Sequence, residues 1–359
     1  MAGDVGITES IVAAFSERGF AAAPSGPILH DYGPTIRVRI GAPAPGRAGA
    51  PINREVLSPN ERLGLEALHV RESKEYLIAK EKRPAQGSAW ARGPAPLHLK
   101  EEVIVNSAVG GGPLGGGSAG APVSKRLVGR IAVGVIMISG PQSLALTTDQ
   151  QVKIAAEVQN GLSWLGAQSP AKDVTWVHDN HLVTVSVPSP TSTPIGDPYE
   201  FYERPWRDAA LVQLGYAAGP AGVNAYITAL KASRRADAAY CAFFSHYPLQ
   251  HFAYCTGPYV VMQFENDGWG PDNLDRVFAH ETGHVFGAPD EYKEAGCNCG
   301  GSHGFFGKPN LNCESCAENG GVDCIMRNNA WAMCSVTPYH LGYSNLPAGA
   351  TPALAPHVA

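Results

Sequence analysis

The 359-residue chain predicts a mixed α+β fold, α/β-like in the order of its elements, with a separate region in front and a cysteine-rich part behind. Three observations predict this. From residue 127 to residue 285, short runs rich in Val, Ile and aromatic residues alternate with apolar stripes at helical spacing, the pattern of strands and helices taken in turn. Gly110 to Ser118 has glycine at six of its nine positions, a flexible linker that divides the chain. The cysteines, eight in all, lie between Cys241 and Cys334, so cross-linking is confined to the last third. The expected segments are an N-terminal region (1–109), the linker (110–124), the main domain (125–346) and a tail (347–359).

In order, Glu9 to Arg18 reads as a weak helix, and the alternating Thr35 to Ile40 as a strand. Ala42 to Pro51 is a Gly/Pro/Ala loop. Ser58-Pro59-Asn60-Glu61 opens a helix, with Ser as cap and Pro at the first helical position. The charge run Glu72 to Arg83 reads as a solvated helix face, and Val103 to Val105 as a short strand. Beyond the linker, Leu127 to Ile138 is a buried strand. Thr148-Asp149-Gln150-Gln151 resembles a capping box, continued by the stripe Ile154, Val158, Leu162 and Leu165. Val174–Val177 and Leu182–Val185 read as strands joined by a turn at His178-Asp179-Asn180-His181, with metal binding as the alternative for that tetrapeptide. Pro188 to Pro205 reads as a loop, followed by helices near Asp208–Leu214 and Val223–Lys231. Ala239–Phe244 and Pro258–Phe264 are strands, flanked by Cys241 and Cys255, which a disulfide would join.

The chemistry is concentrated next. His280-Glu281-Thr282-Gly283-His284-Val285-Phe286-Gly287-Ala288-Pro289-Asp290 has the form H-E-x-x-H-x-x-G-x-x-D. On a helix, residues four apart share a face, so His280 and His284 can aim ring nitrogens at one point, half of a tetrahedral zinc site. Glu281 is placed to take a proton from water at the metal. Gly287 lets the chain leave the helix in a left-handed conformation and Pro289 stops its continuation, freeing Asp290 to swing back as an oxygen ligand. The helix is expected to begin at Pro271-Asp272-Asn273-Leu274-Asp275 with an Asp cap, and to bury Leu274, Val277, Phe278 and Val285.

These residues resemble the metzincin zinc metallopeptidases, in the branch whose motif ends in Asp. The resemblance spans roughly residues 126–345, and its specific part lies within 280–326. It implies a twisted, mostly parallel sheet backed by helices, with an active-site helix and a cysteine-rich C-terminal subdomain. It also implies a methionine-bearing turn beneath the metal, for which Cys324-Ile325-Met326-Arg327-Asn328 fits, with Met326 as the floor and Met333 as the rival. An antiparallel edge strand between Cys241 and Cys255 would hold an extended peptide. The implied activity is zinc-dependent endopeptidase, with Zn²⁺ on His280, His284 and Asp290 and Glu281 as general base. No tyrosine stands two residues after Met326, where several members carry one, so Tyr339 or Tyr292 would have to assist the oxyanion from elsewhere.

The remaining expectations are broader. The net charge of −5 gives no basis for a general nucleic-acid or anionic-membrane binder, and the apolar run Ile131–Ile138 is too short to span a bilayer. The expected partner is a polypeptide substrate, with oligomeric state open. The start Met1-Ala2-Gly3-Asp4-Val5 lacks a basic signal-peptide region, whereas clustered cysteines suit an oxidising destination. Secretion or export by a signal-less route is therefore expected, with a cytoplasmic location as the alternative. Cys297, Cys299, Cys313, Cys316, Cys324 and Cys334 are disulfide candidates, and a structural zinc is the rival for a Cys-x-Cys…Cys-x-x-Cys set. The loop carrying them would line one side of a cleft or, through Asp and Asn oxygens, hold Ca²⁺. Residues 1–109 contain no cysteine, which excludes a cysteine latch; they would form a propeptide, a cap or a targeting domain, with Asp31 or His98 able to reach a metal. The rivals to the peptidase are a later-Glu enzyme using Glu314, a scaffold keeping zinc for structure, and an exported effector protease of narrow specificity.

Overall fold

The computed structural model describes residues 9–13, 27–40, 54–90 and 125–347. The expected strand at Val103–Val105, the loop at Ala42–Pro51, His98, the linker 110–124 and the tail from residue 348 lie outside the described residues. One eight-stranded sheet organises the rest, in the order β1-β3-β2-β5-β4-β6-β8-β7. Its strands are β1 (Glu9–Ala13), β2 (Ile28–Asp31), β3 (Ile36–Ile40), β4 (Gly129–Ser139), β5 (Val174–Thr184), β6 (Ala238–Ser245), β7 (Ala253–Cys255) and β8 (Tyr259–Gln263). Pairing is parallel from β2 through β5, β4 and β6 to β8, and antiparallel at both ends.

The central strand β4 is buried on both faces, which is why its sequence is a continuous apolar run rich in Val and Ile rather than an alternation with polar residues. Ile131, Val133, Val135 and Met137 face one core, with α3 (Thr148–Gln168) and α6 (Leu274–Val285). Ala132, Ile136 and Ile138 face the other, with α4 (Pro198–Gln213) and α5 (Pro220–Ser233). The strand period of two divides them. The mixed fold and mostly parallel sheet backed by helices are thus as expected, and the helices lie on both of its faces. Among the described residues no helix is long and apolar enough to cross a membrane.

Several elements differ from expectation. Glu9–Ala13 is a strand rather than a helix, because it pairs along its length with β3. β5 is one strand and not a hairpin: it runs parallel to β4 from Val174 to Thr184 without interruption. Asn60 accepts from Asn180 N and donates to the His178 carbonyl, filling backbone valences that a turn would have closed locally. α4 begins inside the stretch read as a loop, since the Asp197 side chain accepts from Tyr199 N and Pro198 takes the first helical position. The α3 cap is Thr147, one residue earlier than the box in the sequence, with Gln150 as its reciprocal partner. α6 lacks a side-chain cap of its own. Instead the buried Glu157 carboxylate accepts from Asp275 N, a bond that only the fold provides.

The residues before the linker join the same sheet. β2 pairs with β5, and α1 (Pro59–Arg71), which has the expected Ser58–Glu61 capping box, packs on α3. α2 (Lys74–Glu81) carries the charge run, and Glu72, Lys74, Glu75, Glu81 and Lys82 are exposed as expected, but two of its cations turn inward. Lys80 and Arg83 are buried and paired with Asp275 at 3.0 and 3.3 Å, and Lys80 also meets Glu157. His30 of β2 and His178 of β5 are fully buried. Ser163 donates to the Gln159 carbonyl, so its oxygen accepts from His30 Nε2, and His30 Nδ1 then accepts from His178 Nε2. His178 is therefore bound to another imidazole, and His181 to Asp179 at 2.8 Å, rather than the two sharing an ion.

Candidate metal centre

α6 carries the motif as expected. Phe286 closes the helix, Gly287 follows at φ 85°, and the Gly287 and Ala288 amides turn back onto the His284 and Gly283 carbonyls. A positive φ of this kind is where glycine is needed. The reversal returns Asp290 to the histidines: its Oδ1 lies 3.3 Å from His280 Nε2 and 3.2 Å from His284 Nε2, and the two Nε2 atoms are 3.1 Å apart. The three side chains form one of two groups of His, Cys, Asp and Glu among the described residues close enough to hold an ion.

Hydrogen bonds on the far side of each ring define what points inward. His280 Nδ1 donates to the Ile325 carbonyl (3.0 Å) and His284 Nδ1 to the Ala288 carbonyl (2.8 Å). Neutral rings so bonded present lone pairs at Nε2. Asp290 Oδ1 is buried without a hydrogen-bond donor. Three acceptors thus meet at a point with nothing to separate them but a cation, and two imidazole nitrogens with one carboxylate suit zinc. Without an ion the site takes up a proton instead: burial would lower the His284 pKa, but Asp290 outweighs it and pushes it up to about 9, and the histidines hold Asp290 well below the usual carboxylate range despite its burial, so a metal ion would displace that proton to reach the Nε2 lone pairs.

Glu281 is buried beside this point. Desolvation raises its pKa, the histidines oppose the rise and the Asp290 charge adds to it. Met326 lies beneath the helix, and a Cβ at Gly283 would come within 2.6 Å of its Sδ, so helix and turn are in van der Waals contact. Met333 is only partly buried, packed at the margin of the core. The Asp290 loop is tied to that turn by Glu291 N donating to the Met326 carbonyl (3.0 Å), and Asn310 donates to the Asp290 carbonyl (2.8 Å).

The other expected residues divide. Tyr292 packs 6.5 Å from the His280 ring and hydrogen-bonds Asp290; burial raises its pKa well above the usual value, and the Asp290 and Glu281 charges add to this. Tyr339 is directed away: its hydroxyl donates to the Pro347 carbonyl, beside a surface cavity of about 500 Å³ lined also by Arg126 and Lys308. Glu314 lies against Lys293 N and Arg327, not with the histidines. Asp31 pairs with Arg130 and Arg37 in the sheet. Cys241 and Cys255 are free thiols and do not bridge their strands. Cys297 pairs with Cys313 and Cys299 with Cys316, so disulfides, not a second zinc, brace the loop. Its amides are engaged in bracing too, Asn312 with Glu291 and Val322, and no group of carboxylates suited to Ca²⁺ gathers there among the described residues.

Cys324 and Cys334 remain thiols and, with Glu291, form the second close group. Glu291 accepts from Cys334 Sγ (3.1 Å), Thr337 Oγ1 (2.9 Å) and Asn312 Nδ2 (2.7 Å), so its carboxylate is already satisfied by donors. Two residues near the centre had no signal in the sequence. Trp90 packs 5.2 Å from the His280 ring. Tyr199 feels the centre electrostatically: burial pushes its pKa up to about 12, and the charges of Asp197 and Glu281 add to the rise. Neither falls in a motif: Tyr199 lies within the expected Pro188–Pro205 loop, and Trp90 between the expected elements.

Against known proteins the chain has no match, whether to a family model, a curated protein or a solved structure.

Proposed function

We propose that the chain is a zinc-dependent endopeptidase of the metzincin type, with His280, His284 and Asp290 as ligands and Glu281 as general base. The observation that carries the reading is the meeting of two ring lone pairs and one donorless carboxylate oxygen, with a buried acid next to them on the same helix. A zinc ion at that point would lower the pKa of a water molecule towards about 7 and polarise a peptide carbonyl. Glu281, its pKa raised by burial, takes the proton as water attacks and returns it to the leaving amine. Asp290 and the two rings stay fixed through their outer hydrogen bonds. β7, antiparallel at the edge of the sheet and packed on α6, offers backbone valences to an extended peptide. Tyr292, 6.5 Å from the His280 ring and bonded to Asp290, is the phenol that would assist the oxyanion. Two disulfides support an oxidising destination.

Glu281→Gln tests the reading. The variant should bind zinc and fold as the parent does, yet hydrolyse denatured protein about 10²- to 10⁴-fold more slowly. Undiminished hydrolysis would refute Glu281 as the base. Zinc retention with no hydrolysis by the parent, on denatured protein and on a broad peptide library, would favour a scaffold or an effector of narrow specificity.

A further inference from the structure

The metal ligands all follow the linker, but one of their supports precedes it. Trp90 donates its indole N–H to the Ile325 carbonyl at 2.7 Å. The same carbonyl accepts from His280 Nδ1 at 3.0 Å. One oxygen therefore carries two donors: the ring that would bind the metal and an indole from the N-terminal region. The indole ring lies tilted, 5.2 Å between centroids from the His280 ring and 5.1 Å from that of Trp269, and only 7% of Trp90 is exposed.

This contact is the end of a continuous seam. Asn329 N donates to the Ser88 carbonyl, Gly87 N to the Asn329 carbonyl and Trp90 N to the Arg327 carbonyl, so residues 87–90 pair with the turn that contains Met326. The Asn329 side chain reaches the Pro84 and Ala85 carbonyls, and Asn273, at the start of α6, also donates to Pro84. Lys80 and Arg83 hold Asp275 in the first turn of that helix.

We propose that Trp90 is a positioning residue for the metal centre, fixing the carbonyl that sets the tautomer and rotation of His280, so that the N-terminal region is a permanent part of the site rather than a detachable cap. The inference rests on the zinc reading above. Its physical basis is general: a ligand imidazole is oriented by the acceptor on its other nitrogen, and disturbing that acceptor typically costs about 10- to 100-fold in metal affinity. The indole pins this acceptor, which otherwise belongs to a turn without regular structure.

Trp90→Phe in the full chain removes the N–H and keeps an aromatic ring. Zinc dissociation constants are measured by competition with a chromogenic chelator, beside the thermal midpoint of the metal-free protein and the visible spectrum of the Co²⁺ form. The expected result is zinc affinity weakened about tenfold or more, an altered Co²⁺ spectrum, and a metal-free midpoint close to the parent's. Parent-like affinity and an unaltered spectrum in a folded variant would overturn the proposal. Should the variant not fold, the parent supplies the test. An indole N–H resonance that is slow to exchange and moves on zinc addition is expected, and no zinc-responsive indole N–H would overturn the role. If the parent itself bound no zinc, the proposed function would fall first, which separates the two failures.

Discussion

Lys80→Met probes how α6 is held. Lys80 lies between two carboxylates with no exposed surface, Glu157 and Asp275, 3.0 Å from the latter. Methionine fills similar volume but leaves both acids with one cation fewer. Lys153 still reaches Glu157 at 2.9 Å and Arg83 still reaches Asp275 at 3.3 Å. Removing one member of a buried ion pair costs about 3–5 kcal/mol, and the remaining cations place this site near about 3 kcal/mol. At about 2–4 °C per kcal/mol, the midpoint should fall by roughly 6–12 °C. The assay is thermal unfolding followed by circular dichroism, with chelator present so that metal binding does not contribute. The pH dependence has a definite sign. Burial raises the Asp275 pKa, but Lys80, Arg83 and Asn160 outweigh it and hold the folded value below the usual range. Its contribution is present above the unfolded pKa of about 3.9 and is lost as pH falls through the folded value. The deficit of the variant should therefore be full at pH 7 and shrink in acid. A midpoint within 2 °C of the parent at pH 7 would refute the reasoning, since the buried acids would then owe nothing to Lys80.

Three further outcomes follow from the same structure. Burial lowers the pKa values of His30 and His178 well below normal, so each gains a proton on unfolding below about pH 6.5. Stability should fall with acid by about 1.4 kcal/mol per pH unit for each histidine, measured by urea unfolding at several pH values, and a flat profile from pH 6.5 to 5 would contradict their burial. Alkylation of the unfolded, unreduced protein followed by mass spectrometry should find four free thiols, at Cys241, Cys255, Cys324 and Cys334, and two disulfides; a Cys241–Cys255 bridge would contradict the sheet. Glu314→Ala should leave zinc content unchanged, because that side chain faces Lys293 and Arg327; loss of zinc would revive the rival third ligand.

What the sequence disclosed follows the range of the interactions involved. The Ser58–Glu61 cap, the run of β4, the glycine that ends α6 and the spacing of His280 and His284 are local, and each could be read directly. The Asp290 return was readable because Gly287 and Pro289 permit little else. Long-range effects were hidden. β5 looked like a hairpin because Asp179 and Asn180 favour turns, and only pairing with β4 and the reach of Asn60 keep it straight. The inward turn of Lys80 and Arg83 within an otherwise exposed charge run was hidden because their partners, Glu157 and Asp275, lie far along the chain. Trp90 had no motif at all, and its significance comes from a carbonyl 235 residues away. The turn at Met326 was placed by resemblance, and its contact with Gly283 is visible only in three dimensions.

The most direct measurement is anomalous scattering at the zinc edge from a crystal of the full chain grown or soaked with zinc. The account predicts one strong peak between α6 and the Asp290 loop, roughly 2.0–2.2 Å from His280 Nε2, His284 Nε2 and an Asp290 carboxylate oxygen. A peak whose shell omits Asp290, or no peak at the two imidazoles under saturating zinc, would contradict it.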